Sequence, residues 1–340
     1  MLIPRTRRTC FWFCARIGLL VVFLAGAVVY AVGMPGRSHR GALPPLSNEE
    51  RSVASRLRDH LTVLAGRIGE RNIWLPEELE AAAKHIESCF AELGYKVAVQ
   101  QYDVAGVTVR NIEAGRRGTS LPHEIVIVGA HYDSVQGSPG ANDNGSGVAG
   151  MLELARLLAE WRPARTIRFV AFVNEEPPFF QTERMGSFIY ATRAKKRDED
   201  IKAMVSLEML GCFSDEEGSQ HYPFPFGLFY PHTGNFIGFV GNLSSRRLVR
   251  RALRAFRTHT RFPSEGCAAP GWITGIGWSD HWGFWQAGYP AIMVTDTAFF
   301  RYGHYHMLSD TPDKIDYERA ARVVVGLTHV MRDLAGNAGE

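Results

Sequence analysis

Cysteine is scarce in this sequence and is poorly spaced for metal binding. The 340 residues include five cysteines, and no two of them form a Cys-x-x-Cys pair. Thiolate zinc sites usually depend on such pairs, so a site of that class is not supported. Cys212 and Cys267 could form a disulfide in an oxidising compartment, and the sequence leaves that pairing open.

Acidic residues are absent from the first sixteen positions, which hold four arginines: Arg5, Arg7, Arg8 and Arg16. Removing these four from the 38 basic residues leaves 34, against 35 acidic residues, so the rest of the chain is nearly neutral. A nucleic-acid-binding protein needs a basic surface. We therefore expect no nucleic-acid partner.

Charge of either sign is absent from Ile17 to Met34. About 20 apolar residues span a bilayer, and an apolar run directly after an arginine cluster is not typical of a buried core helix. The segment predicts a membrane anchor with the arginines in the cytoplasm and the body on the periplasmic or extracellular side. No clear cleavage site follows, which favours an anchor over a signal peptide; cleavage would give a secreted protein.

These observations divide the chain into three parts. Residues 1–36 form the basic tip and the anchor or signal segment, and residues 37–46 form a linker rich in Gly, Pro and Arg. Residues 47–340 form one folded domain, because no internal repeat and no further boundary is visible there.

The folded domain alternates apolar runs with amphipathic stretches. Ser47 followed by Glu50 is a capping-box pattern, which predicts that a helix begins there. Further helices are predicted at 76–95, 147–161, 244–259 and 316–335, and strands at 96–104, 107–114, 124–130, 166–174, 203–209 and 289–296. This order predicts an α/β fold with a mixed, mostly parallel central sheet and helices on both faces. Residues 213–235 are predicted to be an irregular loop.

Polar side chains follow four of the predicted strands, where each strand ends. They occur in "GAHYDS" from Gly129, "NEE" from Asn174, "SLEMLG" from Ser206 and "RYGHYHMLSDTPDK" from Arg301. Any one of these groups alone is more typical of a surface turn or a solvated pair. Ligands of open α/β sheets bind at the carboxyl ends of the strands, so the combination predicts a site there.

The side chains of this predicted site are imidazoles and carboxylates, without a thiolate. Zinc accepts nitrogen and carboxylate ligands, and a catalytic zinc keeps one position open for water. Two metal ions that share a carboxylate fit this inventory, and a further carboxylate could act as a base. Either Glu175 or Glu176 could supply that base.

The motifs resemble those of the co-catalytic zinc aminopeptidases, relatives of bacterial leucyl aminopeptidase, glutamate carboxypeptidase and glutaminyl cyclase. The resemblance rests on "GAHYDS", "GANDNGSG", "NEE", "SLEMLG", "SDHWGFWQAGYPAI" and "YHMLSDTPDKID", and it runs from about Ser47 to the C-terminus. It implies a three-layer zinc-peptidase domain over 47–340, two zinc ions per chain, and a peptide or small amide as substrate. No obligate protein partner is evident.

The resemblance also implies roles for individual residues. His131 and Glu208 correspond to ligands of one zinc, Glu176 and His306 to ligands of the other, and Asp143 to the bridging ligand. Glu175 corresponds to the general base. Three further carboxylates are expected beside the ligands, two of them orienting His131 and His306: Asp133, Asp310 and Asp280.

Two positions depart from the pattern of the family. Glu208 stands where many members have Asp, and Asn144 follows Asp143 where an acidic residue is frequent. In relatives, the peptide bond after the bridging Asp is cis. We therefore expect a cis bond between Asp143 and Asn144.

The sequence favours a zinc exopeptidase that acts as an aminopeptidase, but it leaves alternatives open. A glutaminyl cyclase would use one zinc, held by Asp143, Glu176 and His306, and a binding ectodomain would use none. A carboxypeptidase would need a cationic group for the substrate carboxylate. Five aromatic residues either line a side-chain pocket or pack in the core: Trp272, Trp278, Trp282, Phe284 and Trp285.

Overall fold

The computed structural model describes residues 7–336, so Arg5 lies outside the described residues. Helix α1 (Arg7–Val32) contains one stretch, Cys10–Val32, that is long and apolar enough to cross a membrane. None of that stretch is buried in the body. Its length and composition agree with the predicted anchor, and a signal sequence has the same properties.

Eight strands form one sheet, in the order β1-β2-β4-β3-β5-β8-β6-β7. The central strands β4, β3, β5 and β8 run parallel, as do β6 and β7, whereas β1 to β2, β2 to β4 and β6 to β8 are antiparallel. The predicted mixed, mostly parallel sheet is therefore confirmed. The strands are β1 (Ala98–Val104), β2 (Val107–Arg116), β3 (Leu121–His131), β4 (Arg165–Phe172), β5 (Asp200–Glu208), β6 (Ile237–Gly241), β7 (Ser264–Ala268) and β8 (Ala291–Thr295).

Helices cover both faces of the sheet, as predicted. Along β3, Val126 and Val128 point to one apolar cluster, and Ile125 and Ile127 point to the other, because successive side chains of a strand alternate. The first cluster includes side chains of α2 (Asn48–Leu61), α3 (Pro76–Glu92), α4 (Gly147–Leu157), α6 (Arg246–His259) and α8 (Tyr317–Ala335). The second includes those of α5 (Gly186–Lys196) and α7 (His281–Gln286).

The register of the parallel strands places the predicted site residues together. His131 lies opposite Phe172 in β4, three residues before Glu175, and Glu208 lies opposite Thr295 in β8. The carboxyl ends of β3, β4, β5 and β8 therefore meet at one edge of the sheet, which we call the catalytic edge.

The sequence pattern does not predict several of the strands and helices. The strands β6 and β7 are five residues each and contain glycine, so neither shows a clear alternating pattern. The helices α5 and α7 are eleven and six residues long, too short for a clear period. The loop at 213–235 is largely irregular, as predicted. Cys212 and Cys267 are both free thiols, so the open disulfide pairing is not formed.

The predicted linker 37–46 contains no helix or strand, but it is fixed to the body. The hydroxyl of Ser38 accepts a hydrogen bond from the backbone N–H of Ser264 at 2.9 Å. Arg322 donates to the carbonyl of Pro44 at 2.6 Å. The end of α1 therefore has a defined position relative to the folded domain.

Candidate metal centre

The five predicted metal ligands come together at the catalytic edge in two groups that share Asp143. His131, Asp143 and Glu208 form one group, and Asp143, Glu176 and His306 form the other. Within each group, the candidate ligand atoms all lie within 4.8 Å of one another. The four strand ends and the loop before α4 therefore build one centre rather than separate polar patches.

Asp143 lies between the two imidazoles. Its Oδ1 atom is 3.4 Å from His131 Nε2, and its Oδ2 atom is 3.1 Å from His306 Nε2. Glu208 Oε2 is 3.5 Å from His131 Nε2, and Glu176 Oε2 is 3.3 Å from His306 Nε2. Glu175 Oε2 lies 3.8 Å from His131 Nε2, on the same side of the centre as Glu208.

The backbone of the Asp143 loop is held by Asp310. The Asp310 carboxylate accepts hydrogen bonds from the N–H groups of Asn142 (2.8 Å) and Asp143 (3.1 Å), and from the hydroxyl of Tyr302 (2.7 Å). The expectation that Asp310 orients His306 is wrong, because these loop amides need an acceptor and the carboxylate points to them. The peptide bond between Asp143 and Asn144 is cis, as expected.

Asp133 contacts His131, as expected, and it also contacts the two glutamates. His131 Nδ1 lies 3.1 Å from the backbone carbonyl of Asp133, and the carboxylate is more distant, at 3.6 Å. That carboxylate instead accepts the N–H groups of Glu175 and Glu176, each at 3.2 Å. Asp133 therefore positions the imidazole through its backbone and the two glutamates through its side chain.

Glu208 and Asn144, the two departures from the family pattern, contact each other. Ser279 donates a 2.6 Å hydrogen bond to Glu208 Oε2, and Asn144 Nδ2 lies 3.4 Å from the same oxygen. Asn144 also donates to the carbonyl of Leu207 at 2.8 Å, while its Oδ1 accepts the N–H of Met209 at 3.0 Å. A carboxylate at position 144 could not donate to Leu207, so the amide matches the end of β5.

Sequence reasoning missed the role of Arg71, which lies between α2 and α3 in the segment 69–72. Its guanidinium is fully buried and donates to the carbonyls of Gly69, Tyr132, Pro139 and Gly140. Burial lowers the pKa of Arg71 to about 10, so it stays charged at neutral pH. It ties together both loops that carry His131 and Asp143, and it places a positive charge behind the acidic centre.

Burial and mutual attraction set the protonation of the centre. Burial raises the pKa of Glu176 to about 7 and raises the pKa values of Glu175 and Glu208. Burial opposes ionisation of Asp143, but His131 and His306 outweigh it and lower the Asp143 pKa. Burial lowers the pKa of His306, but the negative charges of Asp143 and Glu176 outweigh burial and raise this pKa to about 10. The acidic groups therefore need positive charge beside them.

The residues fit a zinc site by an independent observation. His131 Nε2, His306 Nε2 and Glu176 Oε1 are buried and have no hydrogen-bond partner among the described residues. Buried polar atoms are normally paired, and imidazole nitrogen and carboxylate oxygen are atoms that zinc accepts. Metal binding would satisfy these three atoms.

The remaining polar residues of the motifs are not among the candidate metal ligands. Asp280 is fully buried, but neither carboxylate oxygen has a hydrogen-bond partner among the described residues, so it makes no orienting contact with His131. Burial raises the pKa of Asp280 to about 7. His281 bonds to the carbonyl of Ile276 at 2.8 Å, and His304 to the hydroxyl of Ser309 at 2.8 Å.

A cavity of about 200 Å³ opens on the centre. Its polar wall is Asp143, Glu175, Glu208 and His306, and its other wall is Pro177, Phe180, Met209, Trp278, Phe299 and Tyr305. None of the described residues that line it is Lys or Arg. The cavity is therefore acidic on one side and mainly apolar on the other.

Only one of the five aromatic residues singled out in the sequence lines this cavity. Trp278 does so, whereas Trp272 is 85% exposed and Phe284 is fully buried in the core. Trp285 donates to the carbonyl of Ala291 at 2.9 Å, and Trp282 packs against Phe188. For these four, the pocket interpretation is wrong.

Comparison with known proteins agrees with the geometry. Residues 111–331 match Peptidase family M28. The chain is 39% identical over 260 residues to the "Uncharacterized protein YfbL" of Escherichia coli strain K12, covering 74% of this chain and 79% of that protein.

Solved structures show the same fold at low sequence identity. A zinc aminopeptidase from Bacillus subtilis superposes with a TM-score of 0.68 at 18% identity, covering 84% of this chain and 96% of the other. A glutaminyl cyclase from Fimbriiglobus ruber superposes with a TM-score of 0.60 at 22% identity, covering 87% and 98%. With two thirds of its length matched to the family and the motif residues gathered at one edge of the sheet, the chain belongs to peptidase family M28.

Proposed function

We propose that the protein is a zinc-dependent aminopeptidase with two zinc ions per chain. The observation that carries this proposal is the position of Asp143, with one carboxylate oxygen 3.4 Å from His131 and the other 3.1 Å from His306. A carboxylate in that position can bind two cations at once. His131 and Glu208 would complete one zinc site, and Glu176 and His306 the other.

Zinc bound in these sites would polarise the substrate carbonyl and lower the pKa of a water molecule. Glu175 accepts the proton of the attacking water and returns it to the leaving amine. Burial raises the pKa of Glu175, and a carboxylate with a raised pKa is a better general base. The Asp133 carboxylate accepts a hydrogen bond from the backbone N–H of Glu175 and so holds Glu175 in place.

The charge of the cavity supports cleavage at the amino end of a peptide. Two zinc ions would offset the negative charge of Glu175 and the three carboxylate ligands. A substrate carboxylate would then still need a cationic side chain to pair with. The described lining residues include no Lys or Arg. Phe180, Met209 and Trp278 offer an apolar surface to the side chain of the first residue.

A glutaminyl cyclase is the second candidate, because the fold is shared with the Fimbriiglobus ruber enzyme. Such a cyclase would require only the Asp143, Glu176 and His306 group. The complete and buried group around His131 favours the peptidase. We place the catalytic domain at residues 47–340, anchored by α1 outside the cytoplasm.

The test uses the full chain in detergent, with leucine p-nitroanilide and its N-acetyl derivative as paired substrates. We expect release from the free amine only and loss of release with a chelator. By mass spectrometry, the wild type should hold about two zinc ions per chain more than an Asp143→Ala variant, because both proposed sites share Asp143. Equal cleavage of both substrates would contradict an aminopeptidase. One zinc ion together with cyclisation of an N-terminal glutamine would identify the cyclase instead.

A further inference from the structure

Helix α6 carries an unusually basic outer face. Its arginines are Arg246, Arg247, Arg250, Arg251, Arg254 and Arg257. At 3.6 residues per turn they fall within an arc of roughly 140°. The opposite side of the helix, with Leu248, Val249 and Phe256, is buried against the body. The Arg257 side chain is only 8% exposed, so we call the other five side chains the arginine face.

Few acidic groups neutralise the arginines of α6. Arg251 pairs with Asp333 at 2.6 Å, and Arg257 lies 3.4 Å from Glu265. Arg247 and Arg254 form no ion pair with any described residue, and both are exposed. The arginines of α6 therefore outnumber their acidic partners, and an anionic partner from outside the chain would lower their mutual repulsion.

The position of α6 identifies that partner, because α6 lies directly beside the end of the apolar helix α1. Arg246 donates to the carbonyl of Tyr30 at 2.7 Å and packs over its ring. Arg246 also donates to the carbonyl of Gly33 at 3.2 Å, and Arg257 to that of Pro35 at 2.9 Å. The apolar stretch itself ends at Val32.

The same contacts place the end of α1 beside the start of α6. Strand β6 is antiparallel to β8, so its last residue, Gly241, pairs with Ile292 near the start of β8, away from the catalytic edge. Helix α6 begins five residues later, beside the exposed Leu243. The end of α1 thus reaches the body at the side opposite the metal centre.

We infer that the arginine face binds the anionic phospholipid headgroups of the membrane that α1 crosses. Basic residues next to a membrane helix are attracted to anionic lipid, each by roughly fivefold in affinity. A membrane-facing α6 also explains why so many arginines stay unpaired on a nearly neutral body.

The test uses the full chain in nanodiscs of equimolar phosphatidylglycerol and phosphatidylcholine. A photoreactive p-benzoylphenylalanine replaces Ser244, which is exposed just before α6, or Gln101, which is exposed on β1. The strands β1 and β7 are the two edges of the sheet, seven strand spacings of about 4.8 Å apart. Lipid adducts are then counted by mass spectrometry.

We expect adducts at Ser244 and none at Gln101, with phosphatidylglycerol exceeding phosphatidylcholine by about fivefold or more. The ratio should fall toward one in the double variant Arg247→Gln with Arg254→Gln, and in high salt. The matched control, Arg193→Gln with Lys196→Gln on α5, removes two exposed charges from the opposite sheet face and should leave the ratio unchanged.

Equal labelling by the two lipids, or a ratio unaffected by the arginine substitutions, would overturn the inference. A chain that does not enter nanodiscs would overturn it as well, because no membrane would then lie beside α6. The readout does not depend on catalytic activity, so it stands apart from the proposed function.

A second cluster of metal-binding side chains lies between α2 and α3. His60 is on α2, and His85 and Cys89 lie one helical turn apart on α3. Their candidate ligand atoms all lie within 4.8 Å of one another, and His85 Nε2 is 3.7 Å from Cys89 Sγ. Zinc bonds of about 2.1 Å to nitrogen and 2.3 Å to sulfur place such ligands about 3.6 Å apart in a tetrahedral site.

We propose that His60, His85 and Cys89 bind a divalent transition metal such as zinc, separately from the catalytic centre. The three side chains are partly buried on two helices that pack together through α4 and the core, which gives the site a fixed frame. A Cys-x-x-Cys pair is not needed, because the helical spacing of His85 and Cys89 supplies two ligands from one face.

Cobalt(II) substitution of the full chain tests this site without measuring activity. The catalytic centre holds no thiolate, so a thiolate-to-cobalt charge-transfer band in the near ultraviolet reports on Cys89. We expect the band in the wild type and in Cys267→Ser, and we expect Cys89→Ser to lose it together with one metal per chain. Absence of the band from the wild type, or its persistence in Cys89→Ser, would overturn the proposal.

Discussion

The two halves of the candidate centre share Asp143 but rest on different kinds of backbone. His131 and Glu208 end the neighbouring strands β3 and β5, and their side chains are 1% and 4% exposed. His306 lies in a loop, in the left-handed region at φ 58°, and its side chain is 30% exposed. We call the group with His131 and Glu208 the inner half, and the group with Glu176 and His306 the outer half. The ligands of the inner half are all buried, whereas the outer half contains the one candidate ligand that is substantially exposed, His306.

The largest expected effect comes from Glu175, which is a ligand of neither half in our proposal. Glu175→Gln should lower kcat by about 1,000-fold, because general bases typically contribute between 100-fold and 10,000-fold. Both metal ions should remain, since every proposed ligand is intact. Steady-state kinetics with a metal count on the same sample gives both values. Activity within tenfold of the wild type would remove Glu175 from the mechanism.

Loss of a histidine should affect the fold in the inner half more than in the outer half. His131→Ala leaves Asp143, Glu175 and Glu208 buried without their imidazole, and we expect a loss of roughly 2–4 kcal/mol in the free energy of unfolding. His306→Ala should lose less than about 1 kcal/mol, because water reaches its position. Urea unfolding of the metal-free variants measures both.

Equal destabilisation by the two substitutions would contradict this contrast between a buried and an exposed histidine. His304→Ala is the matched control, because His304 lies in the same loop as His306 and bonds only to Ser309 among the described residues. It should leave both stability and metal content unchanged.

The two halves should also lose their metal ions at different rates. A chelator approaches through the cavity, so the metal of the outer half should leave first and that of the inner half more slowly. We expect two phases of metal release in the wild type, followed with a colorimetric chelator, and loss of the fast phase in His306→Ala. A single phase with a count of two metals would show that the halves exchange together.

The sequence predicts which side chains meet at the catalytic edge, but not their supporting contacts. His131 and Glu208 are located by the ends of parallel strands, which must meet, whereas His306 lies in a loop and is located by the resemblance to the family. The partners of Asp310 and Asp133 follow from where backbone N–H groups lack acceptors, which only the folded loops define. Arg71 shows the same limit, since its four carbonyl partners belong to three separate segments.

The strands also divide into those that the sequence predicts and those that it does not. Strands with continuous apolar runs, such as β3 and β5, are predicted closely, because burial on both faces leaves a clear pattern. Strand β7 is an edge of the sheet and β6 lies beside it. Both five-residue segments contain glycine, and β7 also contains Ser264 and Glu265. Their pairing depends on β8 and α6, so local sequence does not specify it.

The smallest expected effect comes from Glu208→Asp, which installs the residue that many family members carry. The shorter side chain loses the 2.6 Å hydrogen bond from Ser279 and moves its carboxylate away from His131. Loss of a contact that orients a ligand typically costs about tenfold in metal affinity, and we expect that loss in the inner half only. Competition with a chelating dye measures each affinity. An equal loss in both halves would show that Asp143 couples them, so the inner half would no longer be an independent, rigid site. Unchanged affinity would show instead that the end of β5 adjusts to either carboxylate, and that burial alone does not make the inner half rigid.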